Sequence, residues 1–507
     1  MRAPLSWIKE FVDIPASVTA EQFSDGLIRV GFEVEEIIKQ GADLTGPLKF
    51  AKVLSIEEIT EFKKPIRYVG LDCGESETRY VICGATNFAV GDLVVAALPG
   101  AVLPGDFAIG ARETYGKTSN GMICSARELG ISDDHAGIMV FAESEVTIGA
   151  DAIEALQIND VIFDVAVNPD RGYALSIRGI AREVAGSLDL KFTDPVDALR
   201  TLKFEETGKG VPAKIADKST ASVFYLRTLS NFDPKATTPM WMRRRIEKMG
   251  MRSISLVVDI TNYVMLELGQ PTHAYDLDKL KGGITVRRAK AGETLKTLDG
   301  QVRKLDAEDL LICDDSGPIG LAGVMGGEST EVDSTTRNVL IEAANFDPIS
   351  IARSARRHKL TSEASKRFER GVDPMMADNA AARVVQLLEV HAKGEGNILG
   401  AEFKELEAID AIFLPSGYAE SVVGINFGAD EEARILGEIG CVVAVVDGGL
   451  EVIRPSWRSD ITHKTDLVEE IARIGGYDRI PARLPVAPPG RGLSLNQKRR
   501  RQVLAAL

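Results

Sequence analysis

Between residues 40 and 150 the chain carries the pattern of a small all-β module, with helical patterns on both sides of it. Short apolar runs alternate there with Gly, Pro, Asn and Asp, which is typical of short strands joined by turns. The runs lie at 50–56, 80–83, 93–98 and 138–141. A T-x-x-Q capping box precedes them at 19–22, and helical periodicity returns at 161–190. The pattern predicts a β-module inserted between two halves of one helical unit.

The length of 507 residues corresponds to three or four domains at roughly 150 residues each. A polar stretch with Pro and Gly at 192–220 predicts a linker. Beyond it, strands are predicted at 223–229, 284–288 and 339–343, and helices at 238–250 and 377–391. Residues 400–480 predict a compact α+β unit that closes with a helix at 466–475. The expected fold class is therefore multidomain α+β.

The net charge of −14 limits how the chain can contact RNA. An apolar fraction of 45% and a charged fraction of 26% are ordinary for a folded protein and exclude general disorder. A chain this acidic is not a general polycationic nucleic-acid binder, so any RNA contact must use local basic islands. Two such islands lie at 243–252 and 353–370. Their sequence fits phosphate contacts or, more commonly, solvated helix faces or intersubunit salt bridges.

The five cysteines lie far apart and form no CxxC pair. An odd count at irregular spacing argues against a disulfide framework or a zinc site and indicates reduced thiols. No apolar run approaches the roughly 18 residues of a membrane span. The first fifteen residues carry charges inside their apolar pattern, unlike a signal peptide. We therefore expect a cytoplasmic protein without a membrane segment.

The sharpest acidic cluster is Asp460, Asp466, Glu469 and Glu470. Asp466 stands at the start of a predicted helix, and the two glutamates follow three and four positions later, so one helical face can present three carboxylates. Hard carboxylate oxygens suit Mg²⁺. However, D-x-x-E is also a capping pattern, and acidic residues favour helix amino termini. From spacing alone the cap is favoured, and a magnesium site is the alternative.

His273 lies in GQPTHAYD at 269–276, shortly after the segment DITNY at 259–263. Polar residues beside a proline-marked turn suggest a pocket, although a hydrogen-bonded structural histidine is the commoner case. The sequence GVMGG at 323–327 lacks the Lys and the hydroxyl of a phosphate loop, so tight turns account for it. The residues alone indicate a multidomain protein with a candidate RNA contact and a candidate magnesium site.

Several long motifs, in the same order, resemble those of the β subunits of bacterial phenylalanine–tRNA ligases, and the resemblance spans nearly all of the chain. In the β-module the motifs are CGATN at 83–87, PGAVLP at 99–104 and SNGMICS at 119–125. Farther along they are NPDR at 168–171, LSIRG at 175–179, VVDITNYVM at 257–265, RFERGVDP at 367–374, WRSD at 457–460, EEIAR at 469–473 and GYD at 476–478.

The resemblance implies a role for each part of the chain. A discontinuous helical amino-terminal domain would hold an inserted OB-type, tRNA-binding β-barrel, followed by a mixed α/β editing domain and a small α+β B5 domain. The implied bounds are 1–39 with 152–200, then 40–151, 212–395 and 400–480. After a proline-containing linker at 481–489, residues 490–507 would begin a catalytic-like domain, so a truncated chain is expected.

The resemblance also implies site residues. In an editing pocket, Glu342 and His273 would read a tyrosyl hydroxyl or place a water, and the residues lining the pocket would be Asn262, Ser362 and Ala364. The family usually has Thr where this chain has Ser362, which leaves out one methyl group of the pocket wall. The four acids Asp460, Asp466, Glu469 and Glu470 match positions linked to Mg²⁺ and shared with an α subunit.

The implied function is that of a ligase β subunit that binds tRNA(Phe) and hydrolyses mischarged Tyr-tRNA(Phe). A hydrophobic pocket cannot strongly reject an isostere that only adds a hydroxyl, which gives editing a physical reason. ATP-dependent attachment of phenylalanine would belong to the α subunit of an α2β2 heterotetramer. Two other hypotheses are a scaffold that holds tRNA and the α subunit without chemistry, and an unrelated Mg²⁺-dependent phosphohydrolase built on the acidic cluster.

Overall fold

A computed structural model describes residues 1–61, 66–132, 136–142, 145–202, 210–397, 400–482, 484, 490 and 492–507. The predicted linkers at 192–220 and 481–489 lie partly outside these residues. The described chain forms four modules, three of mixed helices and strands and one mainly of strands, and a separate helix, Leu495–Ala506, is exposed along its whole length.

The first module contains a three-stranded antiparallel sheet. Strand Asp160–Ala166 lies in its centre, between Arg2–Pro4 and Glu33–Gln40. The two parts of this module therefore pair directly, on either side of the inserted segment. The helices that accompany the sheet are Leu5–Ile8, Ala20–Arg29, Ile177–Ser187 and Pro195–Leu199. The predicted capping box is confirmed, because the Gln22 N–H donates to Thr19 Oγ1 at 3.2 Å and the Thr19 N–H to Gln22 Oε1 at 3.0 Å.

The prediction of a helical pattern from residue 161 is wrong for its first part, which is the central strand of this sheet. Phe163 and Val165 are buried, and Asp164 between them is not. That two-residue alternation is the pattern of a strand. Helical structure begins only at Ile177, so the first module is a sheet with helices rather than a helical unit.

The inserted β-module is a six-stranded antiparallel sheet that curls into a nearly closed barrel. Its strands, in spatial order, are Met122–Ile123, Leu93–Ala97, Leu48–Ile59, Ile66–Asp72 and Arg79–Cys83, and Val140–Phe141 also pairs with Leu93–Ala97. Ile82 N–H donates to Ser119 Oγ at 2.9 Å, which joins the last strand to a neighbouring hairpin. The smaller elements are the hairpins Val102–Leu103 with Phe107–Ala108 and Ala111–Thr114 with Lys117–Asn120, and helix Ala152–Ala155.

The third module has two five-stranded sheets with a shared apolar core. One sheet has the order Ala213–Ile215, Ile284–Arg288, Leu310–Asp314, Gly317–Leu321 and Met325–Gly326. The other has the order Thr272–Asp276, Val339–Phe346, Ala221–Ser230 and Glu395–Asn397, and Glu402–Lys404 also pairs with Ala221–Ser230. Thr294–Lys296 and Val302–Lys304 form a hairpin. The helices are Met240–Lys248, Leu256–Leu268, Pro348–His358, Glu363–Arg370 and Ala377–Ala392.

The fourth module is a three-stranded sheet, ordered Ile412–Pro415, Gly449–Ile453 and Val442–Val446. Its helices are Tyr418–Val423, Ala429–Glu438 and Lys464–Gly475. The first and third modules share one hydrophobic core, in which the rings of Trp7 and Tyr263 stack with their centroids 4.8 Å apart. Such a shared core fixes helix Leu256–Leu268 against the first module.

Candidate active site

A cavity of about 90 Å³ lies in the third module between its two sheets. Strands Thr272–Asp276 and Val339–Phe346 supply one wall, and the segment 320–326 supplies the facing wall. Helix Glu363–Arg370 contributes Ala364 and Phe368. The lining is mostly apolar, with the polar side chains of Thr272, His273, Tyr275 and Glu342 among it. An apolar cavity with a few polar groups is the usual form of a small-ligand site.

His273 and Glu342 are direct partners across two antiparallel strands. Side chains opposite one another in such a pair project from the same face of the sheet, so both reach the cavity. Tyr275 stands two residues after His273 and therefore shares that face. Register alone thus gathers the three titratable side chains that line this wall.

Burial dominates the protonation of this group. It raises the pKa of Glu342 to about 7, and a hydrogen bond from the Tyr275 hydroxyl opposes part of that rise. Burial also lowers the pKa of His273 to about 4, so its imidazole is neutral at physiological pH. The wall therefore presents a carboxyl group poised between its two forms beside a neutral imidazole, an arrangement that can exchange protons or read a polar ligand atom.

The imidazole of His273 is held closely on two sides. Its ring meets the ring of Tyr275 edge-on, with centroids 4.6 Å apart. On the other side lies Gly326, where an added Cβ would stand only 2.7 Å from His273 Cε1 and Nε2. The glycine-rich segment therefore has a role beyond turning the chain, because a side chain at this position would displace the imidazole.

Ser362 caps the helix that carries Ala364 into the cavity wall. Its Oγ accepts the Ser365 N–H at 3.0 Å and donates to the Val324 carbonyl at 3.1 Å. The serine thereby ties the start of the helix to the opposite wall. Ser362 is not itself among the cavity-lining residues, so its contribution to the cavity is through the placement of Ala364 and Phe368.

The structure brings together His273, Glu342 and Ala364, but it does not bring Asn262 to the same place. Asn262 lies in helix Leu256–Leu268 and is not among the residues that line the cavity. Sequence reasoning missed Tyr275 and Phe368. The first stands at strand spacing from His273 and the second at helical spacing from Ala364, so each could have been found from its neighbour.

The four acids of the fourth module are bound by arginines and backbone amides. Asp466 Oδ2 accepts the Thr462 and His463 N–H groups, each at 2.8 Å, which is the predicted helix-cap role. Asp460 pairs with Arg458 at 2.7 Å. Glu469, more than half exposed, accepts from Arg171 at 3.1 Å.

Glu470 is buried and meets three guanidinium groups. Arg171 binds its Oε1 at 2.5 Å, and Arg458 and Arg473 bind its Oε2 at 2.7 Å each. Burial opposes ionisation of Glu470, but these arginines outweigh it and hold the pKa well below its usual range. In the described part of the chain, no three or more His, Cys, Asp or Glu side chains are grouped to hold a metal ion. The expected Mg²⁺ site therefore does not fit these four residues as they are arranged.

The basic islands contain buried as well as exposed side chains. Arg244 and Lys248 of the first island are buried, with Arg244 bound to the Leu156 carbonyl and Lys248 to Asp160. Arg367 of the second island is buried against the Leu175 carbonyl at 3.0 Å. These three side chains join modules within the chain, so for them neither a phosphate contact nor a solvated helix face nor an intersubunit salt bridge is found.

An aromatic surface on the β-module is a second candidate for ligand contact. The rings of Tyr68 and Tyr80 stack with centroids 5.1 Å apart, and Lys117 Nζ lies 4.9 Å from the Tyr68 ring centroid. Tyr80 is 40% exposed. Partly exposed aromatic rings beside a cationic group are suited to stacking on nucleobases.

Three family models match successive parts of the chain. Residues 48–151 match a putative tRNA binding domain, 220–393 match a B3/4 domain and 412–477 match a tRNA synthetase B5 domain. The cavity lies within the B3/4 match, and the aromatic surface lies within the putative tRNA-binding match. Among the described residues, no helix has the length and apolar character needed to cross a membrane.

Similar proteins span the whole chain. It is 52% identical to the phenylalanine–tRNA ligase beta subunit of Streptomyces avermitilis over 516 aligned positions, which cover 100% of this chain and 61% of that protein. It is 51% identical to the same subunit of Thermobifida fusca, with 99% and 61% covered. A solved N-terminal fragment of the phenylalanyl-tRNA synthetase beta subunit of Pyrococcus horikoshii aligns over 94% of this chain and 99% of its own, at 11% identity and a TM-score of 0.39.

Proposed function

The chain belongs to the phenylalanine–tRNA ligase beta-subunit family, and we propose that it binds tRNA(Phe) and hydrolyses tRNA(Phe) that carries tyrosine in error. It spans 61% of the length of these relatives, so activities of the whole ligase are part of the proposal. An α subunit, in an α2β2 assembly, would bind ATP and attach phenylalanine. The B3/4 cavity would remove tyrosine, and the β-module would contact tRNA.

The single observation that carries the editing proposal is a buried carboxyl group at the wall of an apolar cavity. Tyrosine differs from phenylalanine by one hydroxyl, which a hydrophobic pocket alone discriminates poorly. Glu342 is 6% exposed and gives the cavity a polar atom that such a hydroxyl can pair with. A phenylalanyl ring would leave that atom unpaired, at a cost of about 1–3 kcal/mol.

The neighbours of Glu342 support the same role. His273, directly opposite on the adjacent strand and neutral at physiological pH, can share the tyrosyl hydroxyl or donate to it. Ala364 and Phe368 supply the apolar surface for the ring. Ser362 fixes the helix that carries them, and its missing methyl relative to Thr does not border the cavity directly.

Hydrolysis in this cavity would use water. In the described part of the chain, the cavity-lining residues include neither Ser nor Cys, so no serine or cysteine nucleophile is at hand. A water oxygen would form the bond to the tyrosyl carbonyl carbon, and the ester bond to the ribose oxygen would break. The ribose oxygen leaves with a proton, and the neighbouring ribose hydroxyl of the tRNA can help to place the water.

The proposed function assigns no magnesium ion to the four acids of the fourth module. Mg²⁺ was expected from the family, but Glu470 has both carboxylate oxygens bound by arginines in this chain. Two of the acids, Glu469 and Glu470, connect the fourth module to the first, because Arg171 belongs to the first module. They would thus support the platform that carries the editing cavity.

The test is the release of tyrosine from radiolabelled Tyr-tRNA(Phe) by the purified chain. Hydrolysis well above the rate in buffer is expected, with Phe-tRNA(Phe) cleaved much more slowly. A chain that retains its cooperative thermal unfolding and tRNA affinity, yet leaves the tyrosyl ester as stable as buffer does, would support the scaffold hypothesis instead.

A further inference from the structure

We infer that Tyr275 is a positioning and specificity-determining residue of this cavity: its hydroxyl binds one oxygen of Glu342 and leaves the other as the acceptor for the hydroxyl of a bound tyrosyl group. The inference rests on the proposed editing function. It concerns a residue to which neither the motifs nor the comparisons assign a role, and it defines how the cavity would distinguish tyrosine from phenylalanine.

A hydrogen bond joins Tyr275 to Glu342 across the two strands of the cavity wall. Tyr275 and Glu342 are 67 positions apart in the chain, and the Tyr275 hydroxyl donates to Glu342 Oε2 within the buried wall. Tyr275 is 1% exposed, so its ring cannot swing into solvent. In the described part of the chain, no hydrogen bond is made to Glu342 Oε1. One oxygen is therefore fixed in place and the other remains for a ligand.

The protonation states of the groups around Glu342 support the same role for Tyr275. The titratable groups that face Glu342 are His273 and Tyr275 on the neighbouring strand, and Cys313 stands behind Tyr275 on the facing sheet. Burial lowers the pKa of His273 to about 4 and raises the pKa of Cys313 to about 11, so neither carries charge near neutral pH. Glu342 is then the group in this wall whose charge can change, and the Tyr275 hydroxyl is what favours its charged form.

The charged form matters for discrimination. A hydrogen bond from a phenol to a carboxylate is roughly twice as strong as one between neutral groups. By favouring the carboxylate, Tyr275 strengthens the bond that only a tyrosyl substrate can make. Without the Tyr275 hydroxyl, Glu342 would be protonated over a wider pH range. The preference of the cavity for a tyrosyl over a phenylalanyl group would then decrease.

The experiment uses Tyr275→Phe, which removes one oxygen and keeps the ring. The pH dependence of Tyr-tRNA(Phe) and Phe-tRNA(Phe) hydrolysis is measured for the wild-type chain and the variant. The midpoint that depends on Glu342 should move up by about one pH unit or more, with a several-fold loss of tyrosine preference near neutral pH that recovers in more alkaline buffer.

Tyr225→Phe is the matched control. The Tyr225 hydroxyl also donates to a glutamate, Glu402 Oε1 at 2.7 Å, but neither residue lines the cavity. Tyr225→Phe and Tyr275→Phe each remove one phenolic oxygen from the same sheet, so an unspecific effect on the fold would appear in both variants. The control should leave the midpoint and the tyrosine preference unchanged.

A direct titration of Glu342 by ¹³C NMR, assigned with Glu342→Gln, separates this inference from the proposed function. An upward shift of the Glu342 midpoint in Tyr275→Phe supports the inference, and equal midpoints overturn it. If the shift occurs but the wild-type chain hydrolyses neither ester, the editing proposal fails and the role of Tyr275 in ionising Glu342 stands. Should Tyr275→Phe not fold, 3-fluorotyrosine at position 275, a stronger donor, should lower the Glu342 midpoint, and an unchanged or raised midpoint overturns the inference.

Discussion

Arg171 and Glu470 lie 299 positions apart in the chain and form a buried ion pair 2.5 Å long that joins the first module to the fourth. Arg473 extends the joint, because it binds both Glu470 and Glu183 of the first module. The loop that carries Arg171 also receives the Arg367 side chain of the third module, through the Leu175 carbonyl. Glu470 therefore lies where the first and fourth modules meet, and the third module contacts the same stretch of the first module.

Replacing that carboxylate should destabilise the chain. Glu470→Gln leaves three buried guanidinium groups short of one negative charge, and breaking a buried pair in this way costs about 3–5 kcal/mol. Glu469→Gln is the control, since Glu469 is more than half exposed and its pair should contribute less than about 1 kcal/mol. Urea unfolding measures both. Equal stability losses in the two variants would contradict the account of Glu470 as the centre of the joint.

Magnesium should not stabilise the isolated chain through these acids. A ligand that binds only the folded state raises its unfolding temperature, and Glu470 offers no free oxygen for one. We expect the same unfolding temperature in EDTA and in millimolar Mg²⁺. A Mg²⁺-dependent rise that disappears in Asp460→Asn would show that the cation displaces the arginines.

Gly326→Ala should impair the cavity more than it impairs the fold. The added Cβ would stand 2.7 Å from the His273 imidazole, which must then move away from its place beside Glu342. A displacement of about 1 Å at a reacting group can lower a rate by roughly a hundredfold. Tyr-tRNA(Phe) hydrolysis should therefore fall by at least about tenfold.

The control for this variant is Gly110→Ala, since a Cβ at Gly110 meets no atom within 4 Å. It should leave hydrolysis unchanged. The ring resonances of His273 provide an independent readout, because they should shift in Gly326→Ala and stay in place in the control. Unchanged resonances together with full activity would mean that the imidazole does not depend on Gly326.

Local sequence patterns predicted those strands and helices whose own sequence shows which face is buried. The strand predicted at 284–288 is Ile284–Arg288, and the helix predicted at 377–391 lies within Ala377–Ala392. The pattern over 161–190 predicts helix throughout, whereas the chain forms a strand at Asp160–Ala166 and a helix only at Ile177–Ser187. Period-two and period-3.6 patterns are hard to separate over six or seven residues.

The candidate site depended on distant pairings that no local pattern contains. The family resemblance singled out His273 and Glu342, but their direct opposition follows from strand register. The same register placed Tyr275 on the Glu342 carboxylate. For the four acids, spacing alone favours a helix cap, and the magnesium role comes from the family resemblance. Neither indicates Arg171, which binds Glu470 and stands far away along the chain.

The stability of the chain should depend on the protonation of Glu342 with a definite sign. Burial raises the pKa of this carboxyl from 4.5 to about 7. As pH rises, Glu342 therefore loses its proton at a lower pH in the unfolded chain than in the folded chain. The folded state therefore loses stability between about pH 4.5 and about pH 7, by roughly 3 kcal/mol in total. The Glu342→Gln variant has no carboxyl group at this position. Its free energy of unfolding should therefore rise relative to that of the wild type across this pH range.

Urea unfolding of wild type and Glu342→Gln at about pH 5 and about pH 8 measures this difference. Glu451→Gln serves as the control, since Glu451 is exposed on a strand of the fourth module. The advantage of Glu342→Gln should be larger at the higher pH, and the control should show no such change. A pH-independent difference would mean that Glu342 ionises as easily in the folded chain as in the unfolded one.

The most direct test of the editing proposal is the ratio of kcat/KM for hydrolysis of Tyr-tRNA(Phe) to that of Phe-tRNA(Phe), measured for the wild-type chain and Glu342→Ala. The buried carboxyl should give the wild type a ratio of about tenfold to a hundredfold, and the variant should lose most of it. Glu402→Ala, outside the cavity, should keep the wild-type ratio. A folded Glu342→Ala chain that retains the wild-type ratio would contradict the claim that Glu342 reads the tyrosyl hydroxyl.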